Sequence, residues 1–399
     1  MTTQQSMCRL TIGGCMRPVL EKARLRILIV GGGIAGSTLA ALLHQHGEYP
    51  VVVERGGKNG ASGYVLGLYP LGARVLHGLG MYVRYQEISR KMERYILHNS
   101  TGKVLKEFSL TEFNDAYGDI RGVDRGLLLA LLRSSIPEEN IFYNATVQHI
   151  QNNPYGAVVT FSDGSAQEFD LVVGADGIHS DVRTMIFQQK DYAYKTTGWG
   201  GWGAWRSLEG FDGATYRELW ADGWFVGIYP VHNKLAVFMG GNKSKLLQFT
   251  AAEFVEEIRK QLPVGILQSA LQSLEGLESA HFWDLEDCRA TRWFSKRVVL
   301  LGDSATALLP TAGIGASMAM DSASALADEL SRTDADYLSL ALEKYVKRQK
   351  KRAESAQKNA RFLARIMFQD SLPASMARNY IVRLYSLKGL LKGVIKIIN

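Results

Sequence analysis

The sequence predicts an α/β fold in which a discontinuous, Rossmann-like α/β domain is interrupted by an inserted β-rich domain and followed by a helical C-terminus. Apolar strands alternate with helices near the start of the chain, and strand-like segments rich in aromatic residues occupy its middle. An apolar strand and long helical patterns then follow. Alternating strands and helices build parallel sheets, whereas runs of strands build antiparallel ones, so the middle segment is the inserted part.

The first predicted unit is a strand, a helix and a second strand within residues 26–55. "RILIV" (26–30) and "PVVVER" (50–55) are short apolar β runs, and residues 33–46 between them have a helical pattern. Together they predict a βαβ unit. Residues 123–134 are typical of an amphipathic helix with Asp124 near its start, and residues 141–174 alternate apolar and polar residues around turn sequences. The latter pattern predicts a β-meander.

The later elements predict the insertion and the return to the first domain. Residues 195–240 contain several strand-like segments, 250–262 are helical, and "RVVLL" (297–301) predicts a buried strand. Helical patterns cover 313 to about 365 and the residues after Pro373. Residues 1–24 are expected to form a loose extension, so that a chain beginning at Met16 would fold with the same stability. The expected bounds are 25–190 for the first part of the α/β domain (with an excursion at 92–112 into the inserted domain), 191–284 for the insertion, 285–345 for the second part and 346–399 for the C-terminal helices.

Composition limits the classes of function. The 399 residues are 46% hydrophobic and 21% charged, as in a globular protein. The cysteines Cys8, Cys15 and Cys288 lack metal-ligand spacing, so neither a metal site nor a disulfide framework is expected, and a reducing compartment fits. No apolar run is long enough to span a membrane, and residues 1–24 lack the apolar core of a signal peptide. A cytoplasmic location is therefore expected.

Charge is unevenly distributed along the chain. Of a net charge of +7, residues 341–399 contribute +11 through fourteen Lys/Arg and three Asp/Glu, so the remaining residues carry −4. Because the body is mildly acidic, the sequence argues against a nucleic-acid partner.

The first motif is Gly31-x-Gly33-x-x-Gly36, which follows a strand and opens a helix. The first glycine permits a tight turn, the second lets the backbone approach a pyrophosphate, and the third packs helix on strand. Glu54 ends the next strand, 18 residues after Gly36, and can accept hydrogen bonds from a ribose hydroxyl. The motif therefore predicts a dinucleotide with a free 2′-hydroxyl, either FAD or NAD.

Two further motifs follow later in the chain. In "GADGIHSDVR" (174–183), Asp176 and Gly177 end the meander. In "GDSATALLPTAGIGAS" (302–317), Asp303 at a strand end can bind a polyol. The backbone N–H groups of 313–316, at a helix N-terminus, can meet a negative charge.

Together and in this order, the three motifs resemble the class A flavoprotein monooxygenases, which have the p-hydroxybenzoate hydroxylase fold. The resemblance covers roughly residues 25–350 and includes Arg125, which looks like the family's FAD-contacting arginine. It implies that the two Gly-rich turns hold two ends of one FAD: the first turn the pyrophosphate and adenosine, the second the ribityl chain and the flavin edge. The cofactor-binding residues expected on this basis are Gly31, Gly33, Ile34, Ala35, Gly36, Glu54, Arg55, Arg125, Asp176, Asp303, Pro310, Gly313, Gly315 and Ala316.

The resemblance also implies a reaction. NADPH or NADH would reduce the flavin transiently, and a C4a-hydroperoxyflavin formed with O₂ would hydroxylate a phenolic or polycyclic aromatic small molecule bound by the inserted, substrate-binding domain. The sequence departs from the family at Thr306, where a histidine is common, and at Ser317, which lies near a position where asparagine is common. The sequence does not indicate which residue is a catalytic base, and His179 is expected to have a structural role.

Two stretches are open to more than one interpretation. "GWGGWG" (198–203) satisfies the Gly pattern but precedes no helix, so it predicts a strand of the inserted sheet. That sheet's tryptophans are candidates for a substrate pocket wall or for plain core: Trp199, Trp202, Trp205, Trp220 and Trp224. "LKGLLKGVIKIIN" (387–399) is a basic amphipathic tail. It either packs on the protein, which its wide apolar arc and two glycines favour, or contacts a membrane.

Three functional interpretations therefore stay open. The first is the soluble aromatic hydroxylase, as a monomer or homodimer. The second is a membrane-surface flavoenzyme that acts on a quinone-like or isoprenoid substrate, as the basic tail suggests. The third is a flavin-binding protein without turnover.

Overall fold

In the part of the chain that the structure describes, the strands form four sheets. The computed structural model describes residues 11–58, 64–278, 280–384 and 386–398. In chain order the strands are β1 (Ile27–Val30), β2 (Val51–Glu54), β3 (Val65–Leu68), β4 (Ser89–Lys91), β5 (Arg94–Asn99), β6 (Val104–Ser109), β7 (Arg121–Asp124), β8 (Ile141–Tyr143), β9 (Val147–Asn152), β10 (Ala157–Phe161), β11 (Ala166–Phe169), β12 (Leu171–Gly174), β13 (Tyr192–Ser207), β14 (Thr215–Trp220), β15 (Trp224–Val231), β16 (Lys234–Asn242), β17 (Phe282–Ala290), β18 (Phe294–Ser295) and β19 (Val298–Leu300).

The helices lie between these strands and after the last of them. In chain order they are α1 (Ile12–Leu20), α2 (Ile34–Gln45), α3 (Pro70–Gly78), α4 (Tyr82–Glu87), α5 (Thr111–Tyr117), α6 (Arg125–Arg133), α7 (Asp181–Ile186), α8 (Lys243–Leu246), α9 (Ala251–Gln261), α10 (Ile266–Ala270), α11 (Asp303–Thr306), α12 (Gly315–Leu330), α13 (Leu338–Met367), α14 (Leu372–Leu384) and α15 (Leu387–Ile398).

A six-stranded sheet joins the two ends of the α/β pattern. Its order is β18-β19-β12-β1-β2-β8, and its strands are parallel except for the short edge strand β18. β1, β12 and β19 are buried along their whole length, which explains their continuous apolar sequences. The predicted discontinuity is thus realised in one sheet, because β19 lies beside β12 although more than 120 residues separate them.

A seven-stranded sheet is built mainly from the aromatic middle of the chain. Its order is β17-β13-β16-β15-β14-β5-β6. One face packs on α9 and α10 through a core that includes Trp202, Met239 and Phe254. β5 and β6 come from the predicted excursion at 92–112, and β17 crosses the expected bound at 284. The domain bounds themselves stay a prediction.

The other face of the seven-stranded sheet meets the small sheet β3-β7-β4. A Cβ on Gly122 of β7 would collide with the hydroxyl of Tyr216 on β14. Only glycine therefore permits this contact, which brings strands of the middle segment against residues that adjoin the Gly-rich turns.

The C-terminal helices are more divided than the sequence pattern indicates. The helical pattern from 313 to 365 is two helices, α12 and α13, separated at 331–337. α15 packs on α13, burying Leu391, Val394 and Ile397. A Cβ on Gly393 would collide with Asn359 of α13. The favoured interpretation of the tail, packing on the protein, agrees with this contact.

The expectation of a loose N-terminal extension is wrong for its described part. Residues 12–20 form α1, whose Met16 and Val19 are buried in the main core. Its first turn is tied to the β10–β11 turn, because Ile12 N donates to Asp163 (2.6 Å) and Gly13 N donates to Ser165 (3.0 Å). These partners lie about 150 residues away, where no local pattern can indicate them. Residues 1–10, with Cys8, lie outside the described residues.

Among the helices that the structure describes, none is both long and apolar enough to cross a bilayer.

Candidate active site

The first Gly-rich turn contains three glycines with different structural roles. Gly31 has φ +106°, and a Cβ there would collide with the carbonyl oxygen of Ala175. A Cβ on Gly36 would collide with the carbonyl oxygen of Gly31. A Cβ on Gly33 would meet no atom within 4 Å. The protein's own packing thus requires the outer two glycines, whereas Gly33 faces open space.

The open side of this turn is a helix N-terminus. Gly33 is the N-cap of α2 and makes no side-chain capping bond, and Ile34 and Ala35 begin the helix. Uncapped N–H groups at a helix start bind anions, and a Gly33 without Cβ lets an anion approach closely. The turn therefore fits the pyrophosphate of FAD.

Glu54 is positioned by two backbone amides. Its carboxylate oxygens accept hydrogen bonds from the N–H of Gly32 (2.8 Å) and of Gly56 (2.7 Å). A carboxylate has about four acceptor positions, so each oxygen keeps one for a ribose hydroxyl. Arg55 follows as an exposed residue.

Arg133 is a part of this turn that the sequence did not indicate. Arg133 is the last residue of α6. Its guanidinium donates to the carbonyl oxygen of Gly32 (2.6 Å) and lies 5.5 Å from the ring centre of Tyr143. More than 100 residues separate it from the motif, and a basic residue at the end of a helix is an ordinary feature, so no sequence signal singled it out.

The second Gly-rich turn lies against the first. Gly302 has φ +63°, and a Cβ there would stand 2.8 Å from Cβ of Ala35. Gly313 is left-handed at φ +61°, and Gly315 begins α12, where Ile314 provides no side-chain cap and a Cβ on Gly315 would meet nothing within 4 Å. The protein therefore brings two open helix N-termini together, which supports the expectation that they hold one extended ligand.

Asp303 lies in a cleft between these turns. Its side chain is exposed, yet it is surrounded by protein atoms that desolvate it and raise its pKa to about 6. Tyr64 is close by: desolvation by the surrounding protein atoms raises its pKa, Arg125 opposes that rise, and the negative charge of Asp303 adds to it. Arg125 also places its guanidinium 5.4 Å from the Tyr64 ring centre, and the backbone N–H of Arg125 donates to the backbone carbonyl oxygen of Tyr64 (2.9 Å).

Asp176 connects the second motif to the third. Its carboxylate accepts hydrogen bonds from Ser180 Oγ (2.5 Å), Ser304 Oγ (3.0 Å) and the N–H of Val182 (3.0 Å). The fully buried Arg183 donates to the carbonyl oxygen of Ser304 (2.9 Å). These bonds show a bracing role for the motif, and contact of Asp176 with FAD stays a prediction.

The remaining predicted residues surround the start of α12. Pro310 is exposed and begins a short 3₁₀ turn, and Ala316 is half-buried in the first turn of α12. Ser317, one of the two departures from the family pattern, accepts a hydrogen bond from the N–H of Tyr69 (2.9 Å). It thereby fixes Tyr69 beside Gly313, where a Cβ would be 3.6 Å from the tyrosine ring.

A carboxylate surrounded by aromatic donors lies on the sheet face beyond Tyr69. Glu218 accepts hydrogen bonds from Tyr95 Oη (2.8 Å), Trp220 Nε1 (2.8 Å) and Tyr229 Oη (2.9 Å). These three donors replace the water that the carboxylate loses. Two of them bind Oε2 and one binds Oε1, so Oε1 keeps an acceptor position.

The tyrosines of this group remain protonated donors. Burial raises the pKa values of Tyr95 and Tyr229 well above the usual range, and the negative charge of Glu218 raises them further. Burial and the charge of Glu218 also raise the pKa of Tyr69 to about 12. We call Tyr69, Tyr95, Glu218, Trp220 and Tyr229 the Glu218 cluster. Of these residues, only Trp220 was expected from the sequence, although the alternation of Tyr216, Glu218 and Trp220 places a carboxylate on an aromatic strand face.

The other tryptophan candidates divide between the two faces of the sheet. Trp199 stacks on Phe368 with ring centres 4.5 Å apart, on the face of the Glu218 cluster. Trp202 lies in the core under α9 on the opposite face, and Trp224 packs against that core. Trp205 lies at the end of β13 that pairs with Glu275. "GWGGWG" is part of β13, as predicted.

Two smaller findings complete the site. His179 lies 3.1 Å from a carboxylate oxygen of Glu286, which fits a structural role. Near Asp303, the rings of Tyr64 and Trp283 are 5.8 Å apart, and each side chain is 43% exposed. In the part of the chain that the structure describes, no three His, Cys, Asp or Glu side chains form a group that could hold a metal ion.

Comparison with known proteins agrees with this architecture. A family model described as "FAD binding domain" matches residues 24–360. A flavin-dependent monooxygenase of Legionella longbeachae is 25% identical over 329 residues, covering 78% of this chain and 82% of that protein. The FAD-dependent monooxygenase ausM of Penicillium brasilianum is 26% identical over 402 residues, covering 91% and 83%.

Solved structures share the fold at low sequence identity. HpxO of Klebsiella pneumoniae, in complex with FAD and uric acid, has a TM-score of 0.85 at 20% identity, over 95% of this chain and 98% of that one. The tetracycline destructase Tet(55) has a TM-score of 0.72 at 22% identity, over 95% and 98%. With the motifs, the two open helix ends and the family match, the chain belongs to the FAD binding domain family and is an FAD-dependent monooxygenase of the class A flavoprotein type.

Proposed function

We propose that the protein uses NADPH or NADH and O₂ to hydroxylate a phenolic or polycyclic aromatic small molecule, which it binds at the Glu218 cluster. The observation that carries this proposal is a carboxylate with one open acceptor position, on an aromatic sheet face, beside the Gly313 turn. The similar structures support a ring compound as substrate, since one holds uric acid and another is named a tetracycline destructase.

The cofactor would be held by residues already described. The helix ends at Gly33 and Gly315 would receive the pyrophosphate and the flavin edge, while Glu54 and Asp303 would bind hydroxyl groups of the ribose and the ribityl chain. Bound FAD, once reduced by the nicotinamide, supplies the activation of O₂. The N–H groups at the start of α12 would stabilise negative charge on the flavin edge.

The protein's own contribution to the substrate is orientation and polarisation. Oε1 of Glu218 would accept a hydrogen bond from a phenolic O–H or ring N–H of the substrate. A carboxylate acceptor draws the proton away from the donor atom, so electron density on the ring increases. The aromatic side chains around the carboxylate exclude water from the ring.

A substrate screen tests the proposal. The yellow holoenzyme is incubated with phenols, hydroxypyridines, purines and polycyclic phenols, and NADPH or NADH oxidation is followed. We expect a compound of this group to stimulate oxidation and to gain one atom of ¹⁸O from ¹⁸O₂. Stimulated oxidation without incorporation of ¹⁸O, or no stimulation by any of these compounds, would contradict the proposal.

The variant Glu218→Gln tests the assigned role of the carboxylate. It keeps the shape but removes the charge that accepts the substrate's proton donor. A hydrogen bond to a charged group contributes about 1.5–3 kcal/mol, so KM for a stimulating phenol should rise about tenfold to a hundredfold. FAD content should not change, because Glu218 lies on the sheet face and not at either Gly-rich turn. Unchanged KM would remove Glu218 from the substrate site.

A further inference from the structure

Helix α14 is docked with its polar side inward. Its buried side chains are Ser375, Arg378 and Val382, which are 1%, 4% and 8% exposed, so the inward side is polar apart from one valine. Arg378 donates to the carbonyl oxygens of Trp220 (3.0 Å), Ala221 (3.3 Å) and Met367 (3.2 Å). Desolvation lowers its pKa to about 10, so it stays charged at neutral pH and works as a polar anchor.

The outward side of α14 is apolar. Leu372, Met376, Tyr380 and Leu384 follow one another at intervals of four and are 61%, 64%, 66% and 71% exposed. Pro373, Ala377 and Ile381 are exposed beside them. At about 100° per residue these seven residues cover roughly half of the helix circumference. We call this surface the α14 apolar face.

This arrangement is the reverse of an ordinary surface helix, which turns its apolar side toward the core. Large contiguous apolar patches on a soluble surface mark sites of contact with a protein or a membrane. The neighbouring helix α15 does not offer such a face with its described side chains, because Leu391, Val394 and Ile397 are buried.

Charge indicates which kind of surface the α14 apolar face contacts. The segment 341–399 carries a net +11, while the remaining residues carry −4. At the end of α14 itself, Arg383 is exposed, and Lys106 Nζ donates to its carbonyl oxygen (3.0 Å). An apolar helix face within a cationic segment matches the interface of an anionic bilayer, where apolar side chains insert and basic ones meet lipid headgroups.

We propose that α14 docks the protein on the surface of an anionic membrane, with its apolar face inserted at the interface and no segment of α14 crossing the bilayer. The docked helix is joined to the proposed substrate face, since Arg378 binds the carbonyl of Trp220 and the indole of Trp220 binds Glu218.

Co-sedimentation with vesicles tests the docking. The full-length holoenzyme is mixed with vesicles of phosphatidylcholine containing phosphatidylglycerol, and separately with phosphatidylcholine alone, at low and high salt. The variant Leu372→Gln/Met376→Gln/Leu384→Gln removes the apolar face from exposed positions. The matched control is Val83→Gln/Tyr155→Gln/Val264→Gln, whose wild-type side chains are 68%, 87% and 92% exposed elsewhere.

We expect wild type and control to bind the anionic vesicles, more weakly at high salt, and the α14 variant to partition about tenfold less or lower still. FAD absorbance and melting temperature should be alike in all three proteins. Three outcomes would overturn the proposal. They are no binding by wild type, equal binding by the α14 variant, and a wild-type dimer in vesicle-free solution that the α14 variant turns into a monomer.

Discussion

At the scale of single residues, the site depends on charged groups that the fold partly desolvates. Asp303 lies exposed in a cleft with its pKa raised to about 6, whereas the carboxylate of Glu218 is compensated by three donors. A desolvated carboxylate destabilises the protein without ligand, and a ligand that donates hydrogen bonds removes that cost. Placement of Asp303 therefore favours cofactor binding over stability of the FAD-free protein.

The variant Asp303→Asn separates these two effects. Between pH 3.8, the usual aspartate value, and about 6, the folded protein binds more protons at this carboxyl than the unfolded chain does. Stability consequently falls as pH rises through this interval. Asp303→Asn removes that loss, so the FAD-free variant should melt higher than wild type at pH 7, with the difference vanishing below about pH 4.

The same variant should bind FAD more weakly. A lost charge-assisted hydrogen bond costs about 1.5–3 kcal/mol, so affinity falls about tenfold to a hundredfold. The measurements are thermal melts of FAD-free protein across pH and titration of the FAD-free protein with FAD. Unchanged affinity would contradict a contact between Asp303 and the ribityl chain.

At the scale of elements, two helix entrances far apart in the chain are joined by contact between Gly302 and Ala35. The glycines of the first turn offer a matched pair of variants, because one is required by protein packing and the other faces open space. Comparison of the pair distinguishes a structural turn from a ligand-binding one.

Gly36→Ala should damage the fold. Its Cβ would collide with a backbone carbonyl that cannot move aside without shifting α2. Overpacking of this kind costs about 1–3 kcal/mol or more, so the melting temperature of the FAD-free protein should fall.

Gly33→Ala should instead leave the fold intact and impair FAD binding. Gly33 has φ −73° and an extended backbone that alanine adopts readily, and its Cβ would meet no protein atom within 4 Å. The FAD-free protein should melt at or slightly above the wild-type temperature, while FAD affinity falls because the methyl group blocks the pyrophosphate. Wild-type FAD affinity in this variant would refute the assignment of the turn.

At the scale of the whole molecule, the C-terminal helices attach the end of the chain to the seven-stranded sheet. α13 bears α15, and its Arg361 forms an ion pair with the fully buried Asp287 of β17 (2.6 Å). α14 is held at Trp220 and Ala221 by Arg378. The basic end of the chain is therefore an integral part of the fold.

Truncation after Ser386 should lower the stability of the protein. It removes the buried side chains of Leu391, Val394 and Ile397, each worth about 1.5–3 kcal/mol when fully buried, and this loss is partly offset by the entropy of the released helix. We expect a drop of a few degrees in melting temperature with an unchanged FAD spectrum. Vesicle binding should persist, because the α14 apolar face remains. If the truncated protein loses vesicle binding while its melting temperature is unchanged, α15 and not α14 is the membrane contact.

Local sequence patterns were sufficient to predict several parts of the fold. Glycine spacing after an apolar strand predicted the first helix entrance, and α2 indeed begins at Ile34. Continuous apolar runs predicted the buried strands β1 and β19, and the order of motifs predicted that distant segments share one domain. These features can be predicted from sequence because backbone geometry and strand burial constrain residues within a short window.

Other features depend on contacts between distant segments, and no local pattern indicates them. Glu218 accepts hydrogen bonds from side chains on three strands, β5, β14 and β15. Helix α1 is held by a turn about 150 residues away. Helix α14 is oriented by the carbonyl groups of Trp220, the last residue of β14, and of Ala221. In α14, hydrophobic periodicity indicates an amphipathic helix but not which side faces the protein. Its orientation follows from Arg378, which is buried and donates to several carbonyl groups. Leaving that charge and those carbonyl groups without hydrogen bonds would cost more free energy than exposing leucine and methionine side chains to solvent.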